Sequence, residues 1–377
     1  MKIGINGYEA VVPRFGFNRE TNLPNRVGSG EFCFQLLKGL FGQDKQNNYS
    51  IYLPVNPSSD MPKETENWKY EVFRSKKLWT LFGLSKKLSK NPQKLDVFFS
   101  PTHYLPLVLP IPSVISILDV SYLHFPSLFA KKDLYQLKLW GKYSIRKARK
   151  IITISQSSKN DIIKAYGVKP EKIAVVYPGI KALDEQKENG IADMEKLGIT
   201  KNYILFVGTL QPRKNIERLI EAFSRLERQD LDLIIIGKKG WMFESILNAP
   251  KKFEVSDRVK FLHDVTDDDL PSYYKNAEMF VLPSLYEGFG LPVLEAMSYG
   301  CPVITSNTSS LPEAGGDAAL YIDPKNVSDI TEKMKKLLDD ENLRKDLIVR
   351  GKKQVEKFSW EKSAKETLEV LEGVVNG

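Results

Sequence analysis

Two glutamates eight positions apart carry the clearest chemical signal in the chain. Glu287 lies in a turn with two glycines, and Glu295 lies about one turn into the predicted helix that follows. A glycine turn leading into a helix brings backbone N–H groups to an anion at the positive end of the helix dipole. Because a carboxylate beside a phosphate is electrostatically costly, these glutamates are better suited to sugar and ribose hydroxyls. An ordinary buried turn with solvated glutamates is the alternative.

A pair of adjacent cations, Arg213 and Lys214, is the second chemical signal. The pair follows an apolar run at 203–207 and precedes Asn215, the predicted N-cap of an amphipathic helix. Two cations at a strand end beside a helix N-terminus can neutralise a diphosphate. Adjacent basic residues are more often solvated surface, which is the alternative interpretation of this pair.

Short apolar runs alternating with amphipathic runs must position these residues. Helices are predicted at 31–41, 157–166 and 216–226 and from residue 291. Strands are predicted at 2–6, 50–54, 70–73, 97–100, 113–118, 150–154, 173–177, 203–207, 231–237, 259–262 and 279–282. The alternation predicts parallel sheets covered by helices, in which ligands bind beyond the carboxyl ends of the strands.

Length and composition suit a globular protein of two domains. The chain has 377 residues, 42% of them hydrophobic and 27% charged. We expect no signal peptide, because the start reads as a strand, and no membrane span, because prolines interrupt the longest apolar stretch at 105–118. Two cysteines without metal-binding spacing favour a reduced, cytoplasmic protein. Pro178-Gly179 is the predicted hinge, and the acidic stretch 183–193 reads as an exposed connector.

Charge is distributed unevenly along the chain. Residues 1–178 hold 27 Lys and Arg against 13 Asp and Glu, whereas the remainder holds 28 against 34. A basic half suggests a polyanionic partner, although a generally lysine-rich composition could account for the net charge. Residues 74–94 mix lysines with Trp79, Phe82 and four leucines, which suits either an anionic membrane surface or a solvated outer helix.

The string EGFGLP at 287–292, followed by Glu295, resembles the E-x7-E motif of retaining GT-B glycosyltransferases of family four. The resemblance implies an α/β protein with the GT-B fold, in which two Rossmann-like domains have parallel sheets facing across a cleft. The domains would span 1–178 and 179–359, with a helix at 360–377 packing back on the first. Glu287 would lie by the transferred sugar and Glu295 by the ribose. Backbone N–H groups at Phe289, Gly290 and Leu291 would hold the sugar.

Four more segments resemble the same family. The stretch 208–215 resembles its phosphate clamp, which assigns Gly208, Thr209, Arg213 and Lys214 to the donor. The loop 263–267, with Val265, would receive the base. Gly28, Ser29 and Gly30 resemble the glycine-rich first loop, with an ordinary helix capped by Ser29 as the alternative. Residues 119–126 resemble the H-D-x-S-x-x-x-x-P segment, with Leu118 in place of histidine; this leaves Asp119 as a catalytic candidate and His103 and His124 as acceptor-side candidates.

The implied activity is retaining transfer of a hexose from a nucleotide-sugar to a glycan or lipid-linked acceptor, as in polysaccharide biosynthesis. GDP-mannose is favoured, since DVSYLHFP and EGFGLP look most like mannosyltransferase-type members, with UDP-glucose as the alternative donor. No cofactor, metal or nucleic acid is expected. The protein would be cytoplasmic, with peripheral membrane contact through 74–94. A nucleotide-sugar epimerase of the same fold, a pyridoxal phosphate-dependent phosphorylase and a non-catalytic nucleic-acid- or anion-binding protein are the alternatives.

Overall fold

The computed structural model describes residues 1–13, 16–18, 21–75, 78–180, 199–266 and 268–377. The described residues form thirteen strands. These are β1 (Lys2–Asn6), β2 (Asn48–Leu53), β3 (Trp68–Val72), β4 (Val97–Ser100), β5 (Ser113–Ser116), β6 (Lys150–Thr153), β7 (Ile173–Val175), β8 (Asn202–Val207), β9 (Leu231–Ile236), β10 (Val259–Leu262), β11 (Met279–Leu282), β12 (Val303–Ser306) and β13 (Ala319–Ile322).

Helices connect most of these strands. They are α1 (Tyr8–Val11), α2 (Ser29–Gln43), α3 (Leu84–Leu88), α4 (Ser121–His124), α5 (Lys131–Gln136), α6 (Lys142–Lys147), α7 (Gln156–Tyr166), α8 (Ile216–Ser224), α9 (Glu244–Lys252), α10 (Leu270–Lys275), α11 (Leu291–Ser298), α12 (Leu311–Gly315), α13 (Val327–Asp339), α14 (Glu341–Val355) and α15 (Trp360–Asn376).

The strands form two sheets in which the neighbouring strands run parallel, which confirms the predicted α/β class with two Rossmann-like parallel sheets. The first has the order β3-β2-β1-β4-β5-β6-β7 and the second the order β10-β9-β8-β11-β12-β13. In each sheet the strand order reverses beside the first strand, between β1 and β4 and between β8 and β11. Ligands of open parallel sheets bind at the carboxyl ends of the strands at such a reversal.

The chain divides into two compact units. The first unit comprises Met1–Tyr122, Phe129–Gly179 and Ser359–Gly377, and the second comprises Leu123–Leu128 and Ile180–Phe358. The first unit ends its main stretch one residue after the expected boundary at 178 and includes the terminal helix. The segment Leu123–Leu128 groups with the second unit. The expected connector at 183–193 lies outside the described residues.

The core of the first unit depends on its last helix. Buried side chains of α2, including Phe32, share one apolar cluster with Trp360 and Leu371 of α15. A Cβ atom on Gly39 of α2 would lie 2.8 Å from the Cβ of Ala364, so the two helices approach more closely than another residue would allow. The final helix is therefore part of the core of this unit.

The basic segment 74–94 buries most of its apolar side chains. Trp79 is 6% exposed and donates its indole N–H to the Phe73 oxygen at 2.9 Å, and the leucines at 81, 84 and 88 are also buried. Leu78 and Phe82 are exposed, and residues 76 and 77 lie outside the described residues. The apolar face therefore packs chiefly on the protein. In the described part of the chain, we find no helix with the length and apolar character needed to span a bilayer.

Candidate functional site

The two strongest sequence signals meet at the strand-order reversal of the second sheet. The loop after β8 carries Arg213 and Lys214, and the loop after β11 carries Glu287. Because β8 and β11 are neighbouring parallel strands, their carboxyl ends bring these loops together. The Leu285 N–H donates to the Arg213 carbonyl oxygen at 2.8 Å, which ties the loops backbone to backbone.

Glu287 forms ion pairs with both cations. Its Oε1 accepts hydrogen bonds from Lys214 Nζ at 2.5 Å and Ser284 Oγ at 2.6 Å, and its Oε2 accepts one from Arg213 Nη1 at 2.9 Å. The Arg213 Nη1 also donates to the Tyr286 carbonyl oxygen at 2.9 Å. Glu287 and Lys214 are each 7% exposed, whereas the Arg213 side chain retains 23% exposure. The cluster therefore carries one excess positive charge, and Arg213 is its more accessible cation.

The neighbours of Glu287 fix its charge. Burial raises the pKa of its carboxyl, but the charges of Lys214 and Arg213, with the hydrogen bonds from Lys214 and Ser284, outweigh burial and lower the pKa to about 2. Glu287 is therefore ionised at neutral pH and cannot act as a proton donor. With both carboxylate oxygens already accepting charge-assisted or short hydrogen bonds, it is also a poor nucleophile.

Two serines after β12 hold the glycine turn. Ser310 Oγ lies 2.8 Å from the Glu287 carbonyl oxygen and 3.0 Å from that of Phe289, and Ser309 Oγ accepts the Glu287 N–H at 3.0 Å. Ser310 is fully buried. These serines were not among the predicted site residues, because β12 was not predicted from the sequence. Had that strand been recognised, their place just beyond its carboxyl end would have indicated them.

Asn215 occupies the predicted N-cap position of α8, but its side chain does not cap the helix. The residue has a left-handed backbone with φ of 61°. Its Nδ2 donates to the carbonyl oxygens of Pro283 at 3.0 Å and Pro324 at 2.6 Å, and its Oδ1 accepts from Arg218 at 2.8 Å. Asn215 therefore joins the loop after β8 to the loop after β11, next to the ion pairs.

Glu295 lies on α11, half-buried, and accepts a hydrogen bond from the Tyr274 hydroxyl of α10 at 3.1 Å. Burial and the Glu295 charge hold the pKa of Tyr274 well above its ordinary value, so this hydroxyl is protonated. The Tyr274 ring stacks on Tyr299 with 5.7 Å between centroids. Tyr274, which was not among the predicted site residues, thus orients the carboxylate assigned to the ribose.

The other donor candidates of the second unit lie at strand ends of the same sheet. Gly208 follows β8, and its N–H donates to the Ile236 oxygen at 2.9 Å. A Cβ atom on Gly208 would lie 3.7 Å from Lys214 Cε, which places this glycine beside the ion-paired cluster. Thr209 is half-buried next to Gly208. Val265 is half-buried in the loop after β10, two strands away from β8.

In the first glycine-rich loop, at 28–30, the residue that caps α2 differs from the one considered in the sequence analysis. Gly28, with φ of 54°, is the N-cap of α2, and Ser29 is the first helical residue. The alternative of Ser29 as the N-cap is therefore wrong. The Ser29 hydroxyl instead donates to the Glu9 carboxylate at 3.0 Å, and a Cβ atom on Gly30 would lie 3.1 Å from the Glu9 carbonyl oxygen. A carboxylate this close reduces the suitability of the loop for a phosphate.

Asp119 and His103 lie close together in the first unit. His103 Nε2 is 3.5 Å from the Asp119 carbonyl oxygen, and the Asp119 carboxylate accepts the Ser121 N–H at 2.8 Å at the start of α4. Leu118, which replaces the family histidine, packs against the core cluster of the first unit. The leucine therefore contributes to core packing.

His124 contacts the second unit, with which its segment groups. Its ring lies 4.9 Å from that of Tyr286, the residue before Glu287, and Phe125 lies 6.2 Å from the same ring. The structure thus places His124 beside the glycine turn, next to Tyr286. Among the described residues, no group of three or more His, Cys, Asp or Glu side chains is arranged to hold a metal ion.

Two family models match the chain. The model described as Glycosyltransferase Family 4 matches residues 61–182, and the model described as Glycosyl transferases group 1 matches residues 191–354. Each Rossmann-like half of the chain is therefore matched by its own model.

Curated relatives and a solved structure agree with these matches. O-antigen chain mannosyltransferase B of Escherichia coli is 32% identical over 278 residues, which are 72% of this chain and 73% of that protein. O-antigen chain mannosyltransferase RfbU of Salmonella typhimurium is 32% identical over 222 residues, or 59% of each protein. The structure of HepE from Anabaena in complex with UDP-glucose has a TM-score of 0.73 at 18% identity, and the alignment covers 99% of this chain and 100% of that one. This last similarity is one of fold.

Proposed function

The chain belongs to glycosyltransferase family 4, with the GT-B fold, and we propose that it transfers mannose, with retention, from a nucleotide-sugar to a glycan or lipid-linked acceptor. Both curated relatives described above are named as mannosyltransferases, which supports mannose as the sugar. GDP-mannose is the donor that we favour, and UDP-glucose is the alternative. We place the reaction in the cytoplasm, in polysaccharide biosynthesis.

The buried ion-paired cluster of Glu287, Arg213 and Lys214 carries this proposal. It lies at the strand-order reversal where parallel sheets bind ligands, and it has one excess positive charge. Glu287 fixes the positions of both cations before any donor binds. Preorganised charge of this kind stabilises the negative charge that builds on a leaving diphosphate.

In the proposed reaction, the bond between the anomeric carbon and the diphosphate oxygen breaks while the acceptor oxygen bonds to the same face of the sugar. The leaving phosphate oxygen takes the acceptor proton. Arg213, the more exposed cation, contacts the diphosphate, and Lys214 supports it from the buried side. Glu287 orients sugar hydroxyls with the turn at 289–291, and Glu295 binds the ribose. In this scheme the two cations neutralise the diphosphate without a metal ion or cofactor.

The remaining candidates receive supporting roles in the proposal. Gly208 and Thr209 lie beside the diphosphate, and Val265 lies by the base. Asp119 and His103 serve the acceptor from the first unit, and His124 acts beside Tyr286. Contact with an anionic membrane through 74–94 would use Leu78 and Phe82, the two apolar side chains that this segment exposes.

Thermal unfolding of the purified chain against GDP-mannose, UDP-glucose and ADP-glucose, with a chelator present, tests the donor assignment. A ligand that binds only the native state raises the midpoint, by several degrees at about 100 times its dissociation constant. We expect GDP-mannose to give the largest rise. The same rise should be absent in Arg213→Ala and reduced in Glu295→Ala.

Arg225→Ala is the matched control, because Arg225 is an exposed arginine of the same unit that pairs with Glu221. Its ligand-induced rise should equal that of the wild type. Product analysis with the best donor then distinguishes transfer to an acceptor from epimerisation of the donor. Full turnover in Arg213→Ala and Glu295→Ala would refute the site assignment, and the absence of a rise with any nucleotide-sugar would refute the donor class.

A further inference from the structure

A cavity of about 660 Å³ opens on the first unit at the edge where its strands begin. Lys150 is the first residue of β6, and Lys172 directly precedes β7. The ends of α6 and α7, at Lys147 and Tyr166, complete the rim. Asp119 follows β5 near the carboxyl edge of this sheet, so the cavity lies at the opposite edge from the acceptor-side candidates of the first unit.

The lining of this cavity is strongly basic. Its charged side chains are one acid, Glu171, and six cations: Arg146, Lys147, Arg149, Lys150, Lys169 and Lys172. Glu171 lies 4.0 Å from Lys169, in a pair whose side chains are both largely exposed. The carboxyl ends of α6 and α7 contribute a further negative charge of roughly one unit in total. The lining therefore keeps an excess of roughly four positive charges.

Backbone carbonyls hold two of these cations, Lys150 and Lys172, in place. Lys150 Nζ donates to the Glu171 carbonyl oxygen at 2.6 Å, and Lys172 Nζ donates to the Arg146 carbonyl oxygen at 2.9 Å. Neutral carbonyl oxygens orient an amine without cancelling its charge. Burial lowers the pKa of Lys172, which a bound anion would offset. Two of the positive charges are thus held in place before any ligand arrives.

A fixed cluster of like charges in a concave surface concentrates the field that attracts counter-ions. The volume of the cavity on the first unit lies in the range of about 300–1,000 Å³ that is typical of small-molecule sites. Two of the six cations are arginines, whose planar fork matches the oxygens of a phosphate group. We propose that this cavity binds the phosphate groups of a multiply charged anion, either free in solution or as the headgroup of an anionic lipid.

Hydrogen exchange of the full chain with inorganic pyrophosphate tests the proposal locally. We expect protection in residues 145–150 and 166–173 at physiological salt. The double variant R146Q/K169Q removes two exposed cations of the lining, and it should raise the half-saturating pyrophosphate concentration by at least about tenfold. The control K142Q/K164Q removes two exposed lysines of α6 and α7 that do not line the cavity, and it should change that concentration less than about twofold.

Sedimentation with phosphatidylcholine vesicles, with and without phosphatidic acid, distinguishes a free anion from a lipid headgroup as the source of the bound phosphate groups. Binding to the acidic vesicles that is lost in R146Q/K169Q and kept in the control assigns the site to a lipid headgroup. Pyrophosphate protection without such vesicle binding assigns it to a free anion. The proposal is overturned if pyrophosphate gives no protection, or if both double variants lose it equally. The donor-induced rise in unfolding midpoint should be unchanged in R146Q/K169Q, so failure here leaves the glycosyltransferase proposal intact.

Discussion

The Glu287 carboxylate stabilises the fold, because it offsets the charges of two cations in a buried cluster. Its pKa of about 2 lies below the ordinary value of 4.5, since the two cations outweigh the effect of burial. A lowered pKa means that the folded state favours the charged form. The stability contributed by Glu287 is therefore fully present above about pH 4.5, and it is lost as the pH falls toward about 2.

Replacing Glu287 by glutamine should destabilise the second unit by about 3 kcal/mol at pH 7, because Arg213 and Lys214 lose their buried counter-charge. The difference between wild type and Glu287→Gln should shrink as the pH falls from about 4.5 toward about 2, where the wild type loses the same charge. Urea unfolding at several pH values measures this difference. Glu341→Gln, at an exposed glutamate paired with Lys345, should lower stability little at any pH. A difference in the free energy of unfolding between wild type and Glu287→Gln that does not change with pH would contradict the electrostatic account.

Ser310 controls which way the glycine turn presents its backbone. In a trans peptide the C=O and the next N–H point in opposite directions. Because the Glu287 and Phe289 carbonyls both face the Ser310 hydroxyl, the N–H groups of Gly288 and Gly290 face away from it. The Gly290 N–H is one of the donors at 289–291 that we propose to hold the transferred sugar. Ser310 thus acts as a positioning residue.

Ser310→Ala should therefore lower kcat by about tenfold, the effect of losing about 1.4 kcal/mol of preorganised hydrogen bonding in the transition state. Donor KM should change less than kcat, since the cations and Glu295 are untouched. Steady-state kinetics with the donor identified by thermal unfolding measures both constants, and Ser310→Thr should recover much of kcat. In the control Ser224→Ala, the hydroxyl lost is one that bonds the Glu221 oxygen at the end of α8, and kcat should stay at the wild-type value. Equal losses of kcat in both alanine variants would argue against a positioning role.

Among the elements of the second unit, α11 begins at a position whose backbone conformation favours glycine. Gly290 is the N-cap with φ of 112°, and a Cβ atom there would lie 2.8 Å from Leu311 Cδ2 of α12. Gly290→Ala should lower the free energy of unfolding by about 1–3 kcal/mol and weaken donor binding, through backbone strain and contact with α12.

Gly42→Ala is the matched control for this helix start. Gly42 lies within α2, and its Cβ position is open. Alanine there should raise stability by up to about 1 kcal/mol, because it is the better helix former. Thermal unfolding of the two variants should therefore give midpoint shifts of opposite sign. Midpoint shifts of the same sign would show that the backbone conformation at residue 290 does not determine how Gly290→Ala changes stability.

The sequence predicted elements better than it predicted contacts. Strands at 2–6, 97–100, 259–262 and 279–282 are confirmed to the residue, because each is an apolar run between clear turn signals. Strands β12 and β13 were not predicted, and with them Ser309 and Ser310 were missed. The pairing of Glu287 with Arg213 and Lys214 joins residues more than 70 positions apart, and it follows from the order of β8 and β11, which local patterns do not contain.

At the scale of the whole molecule, the first unit is built from three separate stretches of chain and needs its last one. Trp360 of α15 is 8% exposed, and its ring lies 5.8 Å from that of Phe32 on α2. The sequence predicted this helix through its resemblance to the family. It could not predict the close approach of Gly39 to Ala364, which depends on where α2 and α15 meet.

Trp360→Ala should destabilise the first unit by about 3–5 kcal/mol, because a large buried side chain is removed from its core. Hydrogen exchange should show faster exchange in β1, β4 and α2, which share a unit with α15, and unchanged exchange in β8 and β9, which belong to the second unit. Trp241→Ala is the matched control, since Trp241 is 52% exposed in the second unit and its loss should cost less than about 1 kcal/mol. If Trp360→Ala instead raised exchange equally in both sheets, the two units would unfold as one cooperative body, and α15 would stabilise the whole chain and not the first unit alone.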